Sequence, residues 1–448
     1  MRELRLALGA LTATLLTPGM AVAGETASVQ DQLRVAQQQI ALLQAQLNQL
    51  QTQIQAQGDA QARTAADVQA IAGKTDQALA QATAASAQAA KPAPVPDALK
   101  WASETKLSGR MYFNASSVSH EVNGSKTGNT DNGGGYAIKR FYLGVDHQFD
   151  KTFSANLTTD VSAISGVGQT LYIKKAYLQA KVAPALTVRL GAADMPWIPY
   201  AESIYGYRHI DQTVSDRTKF GTSADWGVHV LGDLAGGLVS YQVSAVDGGG
   251  YRDPKFSRTI DLEGRVSAKY KGFNVAVGGY TGKLGRNTQG SAAARTYSRF
   301  NALAAYTGKI GEVPVTLGAE YFHAKNKAFN STAPILASAV SDSADGYSLF
   351  ASAAPLDKWS VFGRYDWVNP TNRVNSAFRE NFYNVGVQYT PSKIVNLALV
   401  YKRERAENGA FSTGSLQSGV IGCSTSATAI CTGSGTYSEI GVYGQFRF

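Results

Sequence analysis

The sequence predicts an all-β fold: a sixteen-stranded antiparallel transmembrane β-barrel with an N-terminal α-helical coiled coil ahead of it. Three observations predict it. The closing segment Tyr437–Phe448 alternates Ile440, Val442, Gly444, Phe446 and Phe448 with Glu439, Gly441, Tyr443, Gln445 and Arg447, and it ends on an aromatic. One face of such a strand suits lipid and the other water, which is what a closing barrel strand needs. The same period of two recurs from Lys106 onward, between connections that are alternately short and long. No stretch approaches the roughly 20 apolar residues of a spanning helix, so a membrane protein with this sequence must cross with strands.

Taken in order, residues 1–23 read as a secretory signal. Arg2 and Arg5 open it, Leu6–Leu16 is a short apolar run, and Ala21-Val22-Ala23 offers the small residues of a cleavage site. Residues 24–90 follow as a coiled coil, expected in the periplasm. Leu33, Ile40, Leu47 and Ile54 fall on one heptad position, and Val29, Ala36, Leu43 and Leu50 on the other. Val68 and Ile71 return in register after a polar gap at Gln57, Gln61 and Thr64. Mixed Leu and Ile at the first position fits three strands better than two. A homotrimer is therefore expected, and the helix is also placed to reach the cell wall. Residues 91–105 begin with Lys91-Pro-Ala-Pro-Val-Pro and read as a semi-rigid linker.

The barrel is expected over 106–448. Its strands are predicted near 106–116, 136–149, 152–162, 171–182, 185–193, 224–232, 238–247, 259–270, 273–284, 296–307, 313–323, 345–354, 358–368, 380–390, 394–404 and 437–448. Tight turns such as Tyr270-Lys-Gly272 and Thr390-Pro-Ser-Lys393 mark one rim, and long polar loops at 117–135, 194–223, 324–344 and 405–436 mark the other. Short turns on the periplasmic side and long loops outside are the pattern of an outer-membrane barrel.

Strand parity sorts side chains between lipid and lumen. Leu107, Met111 and Phe113 go outward, leaving Lys106, Arg110, Tyr112 and Asn114 inside. The inward set holds Arg110, Arg140, Lys175, Lys181, Arg189, Arg265, Arg299 and Arg364, facing Asp146, Asp160, Asp261, Glu263, Glu320 and Asp366. Loop 194–223 is expected to fold inward and set the narrowest point, adding Arg208 and Arg217 to the solute path. The chain carries a formal charge of +9. Residues 24–100 hold five basic and six acidic side chains and the signal adds one positive charge, so the whole excess of nine stays in 101–448. Fixed lumenal cations lower the barrier for anions. Without a dense Lys/Arg patch, and behind a signal segment, the charge does not point to nucleic acid.

Cys423 and Cys431 sit in one Ser/Thr/Gly-rich loop and are expected to form a disulfide in an exported chain. The histidines, His120, His147, His209, His229 and His323, show neither metal-ligand spacing nor a Ser/His arrangement, so no metal, cofactor or enzymatic chemistry is expected.

Lys106-Leu-Ser-Gly-Arg-Met-Tyr112, Ile138-Lys-Arg-Phe-Tyr-Leu-Gly-Val145, Lys174-Lys-Ala-Tyr-Leu-Gln-Ala180 and Leu186-Thr-Val-Arg-Leu-Gly191 resemble the phosphate-selective porin family, the O and P porins of Gram-negative outer membranes. The related dicarboxylate porins that bear a coiled coil look similar too. The resemblance implies passive diffusion of small anionic solutes through a homotrimer, with an inward third loop and a lysine- and arginine-lined path. A structural anchor, tethered through the coiled coil, is the alternative reading.

Overall fold

The computed structural model describes residues 29–87, 100–127, 132–164, 168–290, 295–327, 341–413, 420–424 and 431–448. The predicted signal segment and most of the linker lie outside them. The chain divides into two units, 1–95 and 96–448.

In the first unit, α1 (Val29–Ala87) is one helix of 59 residues, continuing through the polar gap. Leu43, Leu47, Leu50, Ile54, Val68 and Ile71 are all 59–64 % exposed, an apolar stripe left uncovered among the described residues.

The second unit opens with one turn of helix, α2 (Lys100–Ser103). The barrel strands are β1 (Thr105–Val122), β2 (Gly133–Gln148), β3 (Phe153–Ile164), β4 (Gly168–Ala183), β5 (Leu186–Asp194), β6 (Ala224–Leu234), β7 (Val239–Val246) and β8 (Asp261–Tyr270). They continue as β9 (Phe273–Gly282), β10 (Tyr297–Ile310), β11 (Val313–Lys325), β12 (Ser343–Leu356), β13 (Trp359–Asn369), β14 (Arg379–Ser392), β15 (Val395–Glu407) and β16 (Ser434–Arg447). Each pairs antiparallel with the next, and β1 closes on β16 from Arg110↔Arg447 to Val122↔Gly435. Closure leaves no edge to satisfy in lipid. The sixteen strands match the predicted count. Several run past their predicted ends, β1 to Val122 for example, because antiparallel pairing continues into the stems of the long loops.

The short turns form for local reasons. Lys271 and Gly272 both take left-handed backbone (φ 47° and 88°), the pair a two-residue hairpin requires. A Cβ on Gly272 would stand 2.7 Å from the Thr307 carbonyl oxygen. In the last long loop Cys423 and Cys431 are joined as a disulfide, with Cα atoms 6.0 Å apart.

Outward Leu107, Leu190, Val266, Val361 and Ile440 are exposed, while inward Tyr112, Asn114, Asp261, Glu263, Arg364 and Asp366 are buried. Alternation breaks at two places in the basic wall. Tyr112 faces Arg140 and Phe113 faces Ile138, so Lys139 is an extra residue in β2. Thr158 faces Lys175 and Thr159 faces Ile173, so Lys174 is extra in β4. Each is a β-bulge, which turns two consecutive side chains toward the same face. Lys139 and Arg140 both point inward, as do Lys174 and Lys175, so neither bulge turns its ammonium toward lipid.

Candidate functional site

The segment from Met195 to Ser223, between β5 and β6, lies inside the barrel. Its first half is α3 (Ile198–Tyr205), with Pro199 in the opening turn and Gly206 ending it in a left-handed conformation (φ 79°). Its second half contains one further turn, α4 (Val214–Arg217).

The lumen wall receives this loop on an apolar bed. Trp197, Ile198 and Ala201 pack on inward Ala276, Leu303 and Ala305 of β9 and β10. Trp197 is fully buried, its backbone N–H donating to Glu263 (3.1 Å) and its indole N–H to Glu320 (2.8 Å). Gly278 allows this approach, because a Cβ there would come within 2.7 Å of the indole. Tyr205, Tyr207 and Ile210 pack on Phe350, Phe362, Ala398, Val400 and Tyr443, and Val214 and Phe220 on Tyr280, Tyr297, Phe322 and Val368. Burying one such side chain contributes about 1.5–3 kcal/mol.

Polar bonds fix the register of the loop on that bed. Arg217 has a fully buried side chain. It reaches Glu380 (2.8 Å) on β14, Glu404 (2.9 Å) on β15 and Asp366 (3.1 Å) on β13, with the Phe382 ring 4.2 Å from its guanidinium carbon. Arg364 pairs with Asp366 (2.5 Å) and donates to the Gln212 carbonyl. Arg299 pairs with Glu263 (3.0 Å) and donates to the Phe220 carbonyl, and Arg265 donates to the Pro196 carbonyl (2.8 Å). Lys402 binds Asp211 (2.9 Å), and Lys139 donates to the Ile210 carbonyl (2.7 Å). Burial opposes ionisation of Asp211, but Lys402 and Lys139 outweigh it and hold the carboxyl well below the usual carboxylate range. Burial, with Lys139 beside it, pushes the His209 imidazole down to about 3, so it stays neutral.

The opposite wall stays open. A cavity of about 740 Å³ runs between the loop and β1–β4, lined by Arg110, Tyr112, Tyr142, Lys174 and Lys175 on the wall, Glu202 and Arg208 on the loop, and Arg447 on β16. Its lining includes five basic side chains and two acidic ones, Asp194 and Glu202. Both acids are paired, Asp194 with Lys175 (2.6 Å) and Glu202 with Arg208 (2.5 Å). Arg110, Lys174 and Arg447 make no ion pair among the described residues. Just above, Arg140 pairs with Asp160 (3.0 Å). Nearer the short turns, Arg189 bonds Gln179 (2.9 Å) and lines a smaller cavity of about 350 Å³ with Lys181 and Arg265.

The ten basic residues picked out by parity and loop composition thus divide between open volume and covered wall. Arg110, Lys175 and Arg208 line the open cavity with Arg140 nearby, and Lys181 and Arg189 line the smaller cavity nearer the short turns. Arg217, Arg299 and Arg364 are buried beneath the loop and do not face the passage, and Arg265 sits at its root. The physical reason is that parity assigns a face but not what will cover it. Strict alternation also missed Lys139 and Lys174. The available signal was the dibasic pairs Lys139-Arg140 and Lys174-Lys175, of which one member would otherwise enter lipid at a cost of about 2–4 kcal/mol.

The sequence model of the Gram-negative porins matches residues 77–409. The chain belongs to that family. It is an outer-membrane porin for passive diffusion, from a family and fold of channels rather than enzymes. In fold, this porin is similar to an anion-selective porin from Comamonas acidovorans (13% identity, TM-score 0.54, 77% of this chain and 99% of that one). It is also similar to the outer membrane channel DcaP of Acinetobacter baumannii (12%, 0.50, 77% and 97%) and to OmpT of Vibrio cholerae (10%, 0.50, 77% and 97%). Identities this low speak for the barrel alone. No curated protein matches this porin by sequence.

Proposed function

We propose that this porin passes small solutes with a preference for anions, phosphate among them, between the β1–β4 wall and the inserted loop. The observation that carries the reading is the charge on that passage: five basic side chains against two acids, with both acids already paired. A unit charge about 6 Å from a passing ion is worth about 0.7 kcal/mol even in water, roughly threefold in occupancy. Arg110, Arg140, Lys174, Lys175, Arg189 and Arg208 act on the solute, and guanidinium groups among them match carboxylate or phosphate oxygens. Arg217, Arg265, Arg299 and Arg364 act indirectly, by holding the loop that narrows the lumen. Dicarboxylates offer similar oxygens and form the second solute class.

The exposed stripe of α1 supports a further part of the reading, that the helix is a periplasmic coiled coil joining three copies. In that position it can also meet the cell wall, though a barrel serving only as an anchor has no need of an open basic passage.

The test is the reversal potential of the purified, folded protein in a planar bilayer under a KCl gradient. A shift toward the chloride potential is expected. A potential of cation sign overturns the anion preference, and absence of conductance favours the anchor.

A further inference from the structure

The loop between β7 and β8 leans over the long-loop end of β4 and builds a second basic cluster above the passage. Its turn is firmly held. Asp247 accepts the N–H groups of Gly249 and Lys255 (both 3.0 Å), and Asp225 accepts that of Gly250 (3.1 Å). Tyr251 is fixed at both backbone groups, its N–H to the Ala224 carbonyl (3.1 Å) and its carbonyl to the Trp226 indole (3.2 Å). That anchors the next residue, Arg252, over the lumen wall.

The Arg252 guanidinium lies 4.4 Å from the Tyr172 ring centre and 5.6 Å from that of Tyr251, and it donates to the Tyr172 hydroxyl. Lys174 sits 4.5 Å from the Tyr142 ring centre and 6.0 Å from that of Tyr251. Aromatic faces thus hold these two cations where carboxylates hold Arg140, Lys175 and Arg208. A cation on a ring face is positioned without being neutralised, and its remaining N–H groups stay available. Lys174 and Arg252 have no carboxylate partner among the described residues. Two cations gathered around one ring, Tyr251, are relieved of their mutual repulsion by a counter-anion, and more by one carrying two charges.

We propose that Arg252 and Lys174, framed by Tyr142, Tyr172 and Tyr251, form a docking site for doubly charged oxyanions at the long-loop mouth. It shares Lys174 and Tyr142 with the lining of the cavity that holds Arg110 and Arg447, adds Arg252 outside that lining, and loads the passage with such ions. The site rests on the anion reading of the pore and adds to it a residue, Arg252, that lies on a loop outside the passage lining.

The test is the block of chloride current in a planar bilayer by phosphate at pH 8, by succinate and by acetate, each added on the side facing the long loops. For the wild type, phosphate or succinate blocks at lower concentration than acetate. Arg252→Gln raises the half-blocking concentration of the dianion about tenfold and leaves both the acetate effect and the open conductance in KCl unchanged. The unchanged conductance also reports that the variant is folded. Block by phosphate alone or by succinate alone names which dianion the site takes. If Arg252→Gln leaves dianion block unaltered while Arg110→Gln removes it, binding resides in the passage and the mouth site is wrong. Equal block by acetate and the dianions also overturns it. A wild-type reversal potential of cation sign sinks the underlying reading instead, so the two failures are told apart.

Discussion

The lumen has two walls that carry the same kind of side chain and use it oppositely. From β8 to β15, arginines are buried beneath the inserted loop, bonded to carboxylates and loop carbonyls. From β1 to β4, Arg110 and Lys174 stand beside open volume with no acid paired to them. All of them point inward, so direction alone does not decide the role. What decides is whether apolar neighbours let another segment cover the residue. Ala276, Leu303, Phe350 and Phe362 make such a bed on one wall, and the other wall offers Ser108, Gly144 and Thr158 around its cations.

The largest effect should come from breaking the covered wall. Arg217→Met leaves Asp366, Glu380 and Glu404 without the cation they surround, at a cost of about 3–5 kcal/mol. Single-channel conductance should rise and thermal stability should fall. If neither changes, the apolar bed alone holds the loop and the ionic clasp is incidental.

Next comes acid. The His209 imidazole has a folded pKa of about 3 against an ordinary value near 6.5, so between those values the unfolded or undocked chain binds the extra proton. The His209 contribution is therefore complete above about pH 6.5 and is lost as pH falls, by about 1.4 kcal/mol per unit. Unfolding midpoints at pH 7 and pH 5 should differ by more in the wild type than in His209→Phe. Equal differences would mean that the imidazole takes its proton without disturbing the loop.

The smallest effect sharpens the contrast of the walls. Neutralising Arg110 and Lys174 together, as Arg110→Gln with Lys174→Met, should lower the chloride-to-potassium permeability ratio about tenfold. Arg299→Gln should leave that ratio nearly unchanged while lowering stability. A selectivity loss of equal size from Arg299→Gln would erase the distinction between the walls.

Much of the barrel was readable because lipid on one side and water on the other impose a period of two on every strand. The strand count, the faces of Leu107, Leu190 and Val361, and the candidacy of segment 194–223 all follow from that period. The loop's partners do not. Arg217 meets residues 163 and 187 positions away, and no local pattern announces a contact of that range. The inward phenylalanines at 350 and 362 were the available hint, since an apolar ring facing a wet lumen needs something to cover it.

The two extra residues at Lys139 and Lys174 have a consequence for how the gene can change. Elsewhere in a strand, removing one codon would turn every following side chain inside out up to the next connection. At either bulge it would not. Ile138 and Phe141 face lipid and Arg140 faces water, so the chain without Lys139 alternates cleanly. Ile173, Lys175 and Ala176 stand in the same relation around Lys174. These are two places in the wall where the polypeptide can shorten by one residue and keep its faces, giving up a single positive charge each time. A lineage could lower the pore's affinity for anions by deletion at Lys174 with the strand faces intact, whereas deletion at Lys139 would also remove a bond to the inserted loop.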